Sequence, residues 1–165
     1  MTNRVTLGFD PGMKGAIAVL VDGEPAQFID MPTEAHPRKG NRIAARELIA
    51  SLRCIRQQHQ GAHMFACLEE IAMRPGNARG NDQRTGEGYG ILLCALAAVD
   101  IQHAEVYAQT WKRRFQFIKK PKDAPRLAAM QRWPRVATNL RRAGHDGRAD
   151  ALYIALWAWE TEAWA

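Results

Sequence analysis

Little in this 165-residue chain supports a secreted or membrane-embedded protein. It has three cysteines, Cys54, Cys67 and Cys94, and no CxxC or Cys/His spacing joins them. That excludes a zinc knuckle or finger. An odd cysteine count, in segments that read as buried helix or strand, excludes a disulfide framework and fits a reducing compartment. No apolar run reaches the length of about 20 residues that a bilayer demands. The first strand begins within a few residues of Met1, which leaves no room for a signal or transit peptide. A cytoplasmic protein is expected. There is no internal repeat, low-complexity tract or linker, and the length suits one domain over residues 1–165. Gly86, Gly88 and Gly90 are not followed by Gly-Lys-Ser/Thr, so a P-loop is absent and no nucleotide cofactor is expected. Serine and cysteine nucleophile arrangements lack partners.

Acids are outnumbered. Lys and Arg total 23 against 17 Asp and Glu, for a net charge of +6. The excess is concentrated. Between Trp111 and Arg142 stand eleven basic residues: Lys112, Arg113, Arg114, Lys119, Lys120, Lys122, Arg126, Arg132, Arg135, Arg141 and Arg142. Asp123 is the one acid among them. A solvated helix face can be this basic, but so local an excess favours a phosphate-binding surface.

Hydrophobic periodicity orders the chain as follows. Val5, Leu7 and Phe9 alternate with Thr6, Gly8 and Asp10, giving a strand that ends at Pro11-Gly12. Residues 16–21 are a nearly all-apolar second strand, expected to be covered on both faces. Asp22-Gly23 is a two-residue hairpin signal, leading to a third strand over 27–31. Residues 32–41 read as a polar loop. Ala45, Leu48, Ile49, Leu52 and Ile55 recur at helical spacing, predicting a helix over 42–59. A fourth strand over 64–69 should lie parallel in the sheet, because a crossover helix precedes it. A polar loop over 74–83 leads to a helix over 84–99. Then come a short strand over 105–108, a helix around 125–133 and a last helix over 146–160. The fold class is α/β: a five-stranded mixed sheet, three antiparallel strands then parallel ones, flanked by helices.

Five acids stand at the ends of these elements. Asp10 closes the first strand; taken alone it is an ordinary turn residue. Glu69 and Glu70 close the fourth strand, and alternation sends them to opposite faces. Only one can share a site with Asp10, and the strand pattern does not choose. Asp146 and Asp150 are four apart on one helix face. Asp146 reads equally as a helix N-cap. Asp150 has no such explanation, since it precedes the almost wholly apolar run 151–159. Clustered, these acids would give an all-oxygen site suited to Mg²⁺, with Mn²⁺ able to substitute. Two such ions roughly 3.5–4 Å apart serve phosphodiester hydrolysis.

The motifs are familiar in order. GFDPGMKGAIAVL at the start, LEEIAMRPG at 68–76, TGEGYG at 85–90, the Trp111-Lys112 pair and HDGRADALYIALW at 145–157 resemble the RuvC-type Holliday junction resolvases of the RNase H-like superfamily. The likeness is greatest to the branch found in phages and plant organelles. The family's second acid stands six residues before Pro-Gly, which here selects Glu69 over Glu70. Two features depart from the family. The loop 77–84 is polar and Arg-bearing where relatives often carry aromatic or bulky apolar residues. Ala108 stands where many have proline, three residues before the tryptophan.

The resemblance implies an RNase H-like fold and a homodimer. It implies a crossover junction endodeoxyribonuclease of DNA recombination and repair, making paired nicks in a four-way junction in the cytoplasm of a bacterial or phage-infected cell. Its metal-holding catalytic residues would be Asp10, Glu69, Asp146 and Asp150. Arg74, Arg79, Arg84, Lys112, Arg113, Arg114, Lys119, Lys120 and Lys122 are the expected DNA contacts, chiefly to phosphate. Lys14 and His145 lie beside the motifs, where plain surface placement explains them as well. Trp157, Trp159 and Trp164 are expected in the core or a dimer interface. Competing readings are a flap or structured-RNA nuclease of the same fold and a non-catalytic junction-binding protein. An actin-like phosphatase or sugar kinase needs two such halves, and the chain has one.

Overall fold

The computed structural model describes residues 3–38, 40–71 and 79–163, with 79–84 described by backbone alone. The expected opening meander is present. Strand β1 (Arg4–Phe9) pairs antiparallel with β2 (Ala16–Val21), and β2 with β3 (Glu24–Asp30). Asp22 and Gly23 both take positive φ, as a two-residue hairpin turn requires. Helix α1 (Ala45–Gln58) then crosses to β6 (His63–Glu70), which runs parallel to β1. Helix α2 (Arg79–Ala98) leads to β7 (Gln102–Tyr107), parallel to β6. The sheet order is β3-β2-β1-β6-β7.

Several expectations need correction. The polar loop 32–41 contains a small hairpin, β4 (Thr33–Ala35) with β5 (Asn41–Ile43). Its second strand takes residues that periodicity had given to α1. Helix α2 starts at Arg79 rather than near residue 84. Strand β7 stops at Tyr107, and Ala108 begins a short helix, α3 (Ala108–Arg114), inside the basic stretch. Proline is tolerated at a first helical position, so the departure at Ala108 changes no hydrogen bond. Helices α4 (Ala124–Arg132), α5 (Ala137–Leu140) and α6 (Asp146–Glu160) complete the chain. Of the cysteines, Cys67 is buried but Cys54 and Cys94 are exposed. Among the described residues no helix is long and apolar enough to cross a membrane.

Both faces of the sheet are covered, as the unbroken apolar run of β2 required. Val5, Leu7, Phe9, Ile17, Val19, Ala66 and Leu68 pack against Leu48, Leu52 and Ile55 of α1 and Leu92 and Leu96 of α2. On the other face Ala16, Ala18, Leu20, Phe65 and Cys67 pack under Ala151, Leu152, Ile154 and Ala155 of α6. Trp157 and Trp159 lie partly buried against this second core; Trp164 falls outside the described residues.

The closeness of α6 to β1 depends on Gly8. A Cβ there would collide with the carbonyl oxygen of Ala151 and lie 2.5 Å from the backbone nitrogen of Ala155. Helix backbone therefore rests on strand backbone, with no side chain between. Gly8→Ala should destabilise the protein by about 3 kcal/mol, the upper end for forcing extra atoms into a packed core. Urea denaturation checks this, and an unchanged midpoint would refute the direct contact.

Candidate active site

Strand alternation decides which acids share a face. In β1, Thr6 and Gly8 turn toward α6, whereas Val5, Leu7 and Phe9 turn toward α1 and α2. In β6, Phe65 and Cys67 turn toward α6. The last paired residues of the two strands are Phe9 and Leu68. One step further stand Asp10 and Glu69, both on the α6 side. Glu70 is on the other face, where it approaches Tyr107, and Glu105 accepts a 2.6 Å hydrogen bond from the Tyr89 hydroxyl. Glu69, not Glu70, is Asp10's neighbour.

Helix α6 brings the other two acids over this edge. Its first turn crosses the Asp10-Pro11-Gly12 turn so closely that a Cβ on Gly147 would lie 2.7 Å from the Lys14 carbonyl oxygen and 2.9 Å from Asp10 Oδ2. Asp146 and Asp150 flank that contact on the helix. Asp146 is the first residue of the helix and not its N-cap; His145 holds that position and makes no side-chain cap bond. The Asp146 carboxylate turns to Arg126, whose Nε donates to Oδ1 at 3.0 Å. Glu69 is also held: the Nε1–H of fully buried Trp111 donates to its Oε2 at 2.8 Å. The backbone N–H of Gly12 donates to Asp10 Oδ1 at 3.3 Å.

The electrostatics record the crowding. Burial pushes the Asp10 carboxyl up to about 6, with repulsion from Glu69 adding to it and the Gly12 N–H, Lys112 and Lys122 opposing. Burial raises Asp150 to about 7, opposed by Lys112 and reinforced by repulsion from Asp10, Glu69 and Asp146. Four carboxylates thus feel one another at one end of the sheet. Among the described residues, no three His, Cys, Asp or Glu side chains converge tightly enough to clasp an ion as they stand. The donor set nonetheless suits a hard divalent cation. Asp150 Oδ1 is buried and has no hydrogen-bond partner among the described residues. A buried carboxylate oxygen in that state is costly unless a proton or a cation satisfies it.

The basic stretch divides into two parts. One part is spent on distant acids. Arg114 pairs with Glu160 at 2.8 Å, Arg132 with the same glutamate at 3.6 Å and Arg135 with Glu24 at 2.8 Å. Arg126 is buried against Asp146. The other part surrounds the acids. Lys112, Lys119, Lys120 and Lys122 line, with Asp150, a cavity of about 290 Å³. This lysine-bearing turn rests on an aromatic cluster in which Phe117 and Phe115 lie 4.8 and 4.9 Å from the Tyr153 ring of α6. Arg74 lies outside the described residues, as do the side chains of Arg79 and Arg84. Lys14 is exposed. The Nδ1 of His145 is buried with no partner among the described residues, beside the Arg148–Asp30 pair whose two bonds measure 2.6 and 2.7 Å.

Trp111's hydrogen bond and Arg126's burial were not anticipated. Arg126 was counted with the phosphate-facing charges, yet it shares the buried face of α4 with Ala129 and Trp133, three and seven residues on. That spacing was a readable signal.

Because both shifts are upward, the folded chain holds these protons to higher pH than the unfolded chain does. Without a divalent cation, stability should fall as pH rises from about 4, where unfolded carboxylates titrate, to about 7, where Asp150 does, and level off above. Asp150→Asn should flatten this fall and raise the melting temperature at pH 8. A lower melting temperature in that variant would show that the buried charge carries no such cost.

No protein-family model matches the sequence, and neither does any curated protein. Solved structures do match. A T. thermophilus RuvC in complex with Holliday junction substrate aligns at TM-score 0.61, covering 97% of this chain and 96% of that one at 16% identity. A further Thermus thermophilus RuvC structure aligns at 0.55, with 96% of each chain covered at 17% identity. At such identity the likeness carries the fold, and the fold of this chain is the RNase H-like fold of RuvC.

Proposed function

We propose that this chain is a divalent-metal-dependent endonuclease that resolves Holliday junctions and related branched DNA, built as one domain over residues 1–165. One observation carries the reading: Asp150, with its unpartnered buried oxygen, lines the same cavity as Lys112, Lys119, Lys120 and Lys122. Carboxylates that repel one another bind cations, and a rim of lysines binds phosphate. Their juxtaposition supports the binding of a phosphodiester beside the acids. The RuvC structure with a bound Holliday junction supplies the substrate class by analogy of fold.

Asp10, Glu69, Asp146 and Asp150 would hold Mg²⁺, with Mn²⁺ able to replace it. When bound, such ions activate water and neutralise charge on the leaving oxygen. The remaining work belongs to the chain. The lysine rim holds the backbone of the cut strand, and Arg113, with Arg74, Arg79 and Arg84, would extend the phosphate contacts, whereas Arg114, expected among them, is paired with Glu160. The aromatic cluster beneath Phe115 and Phe117 keeps the rim fixed relative to α6. Trp111 and the Gly12 N–H hold Glu69 and Asp10 in place. A homodimer would set two such sites on a roughly two-fold symmetric junction, one for each nick.

Asp10→Asn should abolish cleavage, by at least about a thousandfold, while leaving junction affinity within a few-fold of wild type. Cleavage of four-way junction, flap, duplex and RNA hairpin substrates in Mg²⁺ is the accompanying measurement. Wild-type cutting by the variant would sink the assigned site. Preference for the flap or the RNA hairpin would replace the junction reading with another nuclease of this fold.

A further inference from the structure

Arg126 is the most deeply buried cation among the described residues, at 9% exposure. A guanidinium is rarely placed there without full pairing. Its partners come from three directions. Nε donates to Asp146 Oδ1 at 3.0 Å, Nη1 donates to the Leu140 carbonyl at 3.4 Å, and Nη2 stands 3.6 Å from Asp123 Oδ2. One side chain thus ties α4 to the end of α5 and to the first residue of α6. Among the described residues, Asp146 is fixed through one oxygen. The second, Oδ2, meets there a loose contact, 3.8 Å from the ammonium of exposed Lys122.

We infer that Arg126 is a positioning residue for the acid cluster, anchoring one oxygen of Asp146 so that the other is presented to a divalent cation. This rests on the metal-dependent reading above and names a residue on which that site depends. The physical basis is general. A carboxylate that must bind an ion gains from an outer partner that fixes its rotamer, because the ordering is then complete before the ion arrives. Trp111 stands in the same relation to Glu69. Asp10 is held by the Gly12 N–H, and Asp150 has burial in place of such an anchor. Lysine cannot replace Arg126 fully. It retains the charge but lacks the fork that reaches Asp146 and the Leu140 carbonyl together.

The test measures Mn²⁺ binding by calorimetry on the full chain without DNA, alongside junction affinity without metal and the melting temperature. Arg126→Gln should weaken Mn²⁺ binding by about tenfold or more, the usual effect of removing an outer partner, with junction affinity within about twofold. Arg126→Lys should recover part of the loss, and it carries the comparison if the glutamine variant does not fold. Combined with Asp146→Asn, Arg126→Gln should add little, since both changes remove the same presentation. Wild-type Mn²⁺ affinity in a folded Arg126 variant with a lowered melting temperature would reduce Arg126 to a structural staple and overturn the inference. Additive losses in the double variant would do the same. Mn²⁺ binding by wild type that Asp10→Asn destroys and Arg126→Gln leaves intact would overturn only the role of Arg126. Failure of wild type to bind Mn²⁺ would overturn the nuclease reading beneath it.

Discussion

The site depends on a backbone-to-backbone contact between α6 and β1. Gly8 lets the helix lie on the strand, and Gly147 lets its first turn lie on the turn after Asp10. These two contacts set how far Asp146 and Asp150 stand from the strand-end acids. A side chain at either glycine would lift the helix and spread the carboxylates. Two hydrophobic cores hold the sheet between helices, but the spacing of the acids comes from the absence of two side chains.

That closeness creates the main electrostatic feature. Burial raises Asp10 and Asp150, and mutual repulsion adds to the shift. The chain gives up some stability to keep ionisable groups where an apolar residue would pack better, a trade characteristic of functional sites. Glu69 and Asp146 have dedicated donors in Trp111 and Arg126. Side-chain donors thus hold one pair of carboxylates, while burial dominates the other.

Much of this was legible in the sequence, and the reasons for the exceptions are specific. Helix α6 was bounded correctly at Asp146 and Glu160, because an acid precedes a long apolar run. The five strands and their directions, three antiparallel and then parallel, followed from alternation and a crossover helix. The β4–β5 hairpin escaped because two three-residue strands with exposed side chains have no periodicity to read. Helix α3 escaped because seven residues dense in charge look like a surface segment. Charge counting also overstated the phosphate-facing surface, since Glu24, Glu160 and Asp146 lie outside the basic stretch and neutralise parts of it only in three dimensions. The choice of Glu69 over Glu70 came from a motif resemblance; the register of β1 with β6 puts Glu69 on the face of Asp10.

The lysine-bearing segment between α3 and α4 is clamped at both ends. Trp111, just before it, grips Glu69, and Arg126, just after it, grips Asp146. On the proposed reading, a polyanion on the lysines and a cation among the carboxylates would act on opposite ends of the same two hydrogen bonds. Thermodynamic reciprocity then applies: whatever factor one occupant adds to the affinity of the other is returned in equal measure. On that reading, a segment anchored in this way would be a lever as well as a landing surface.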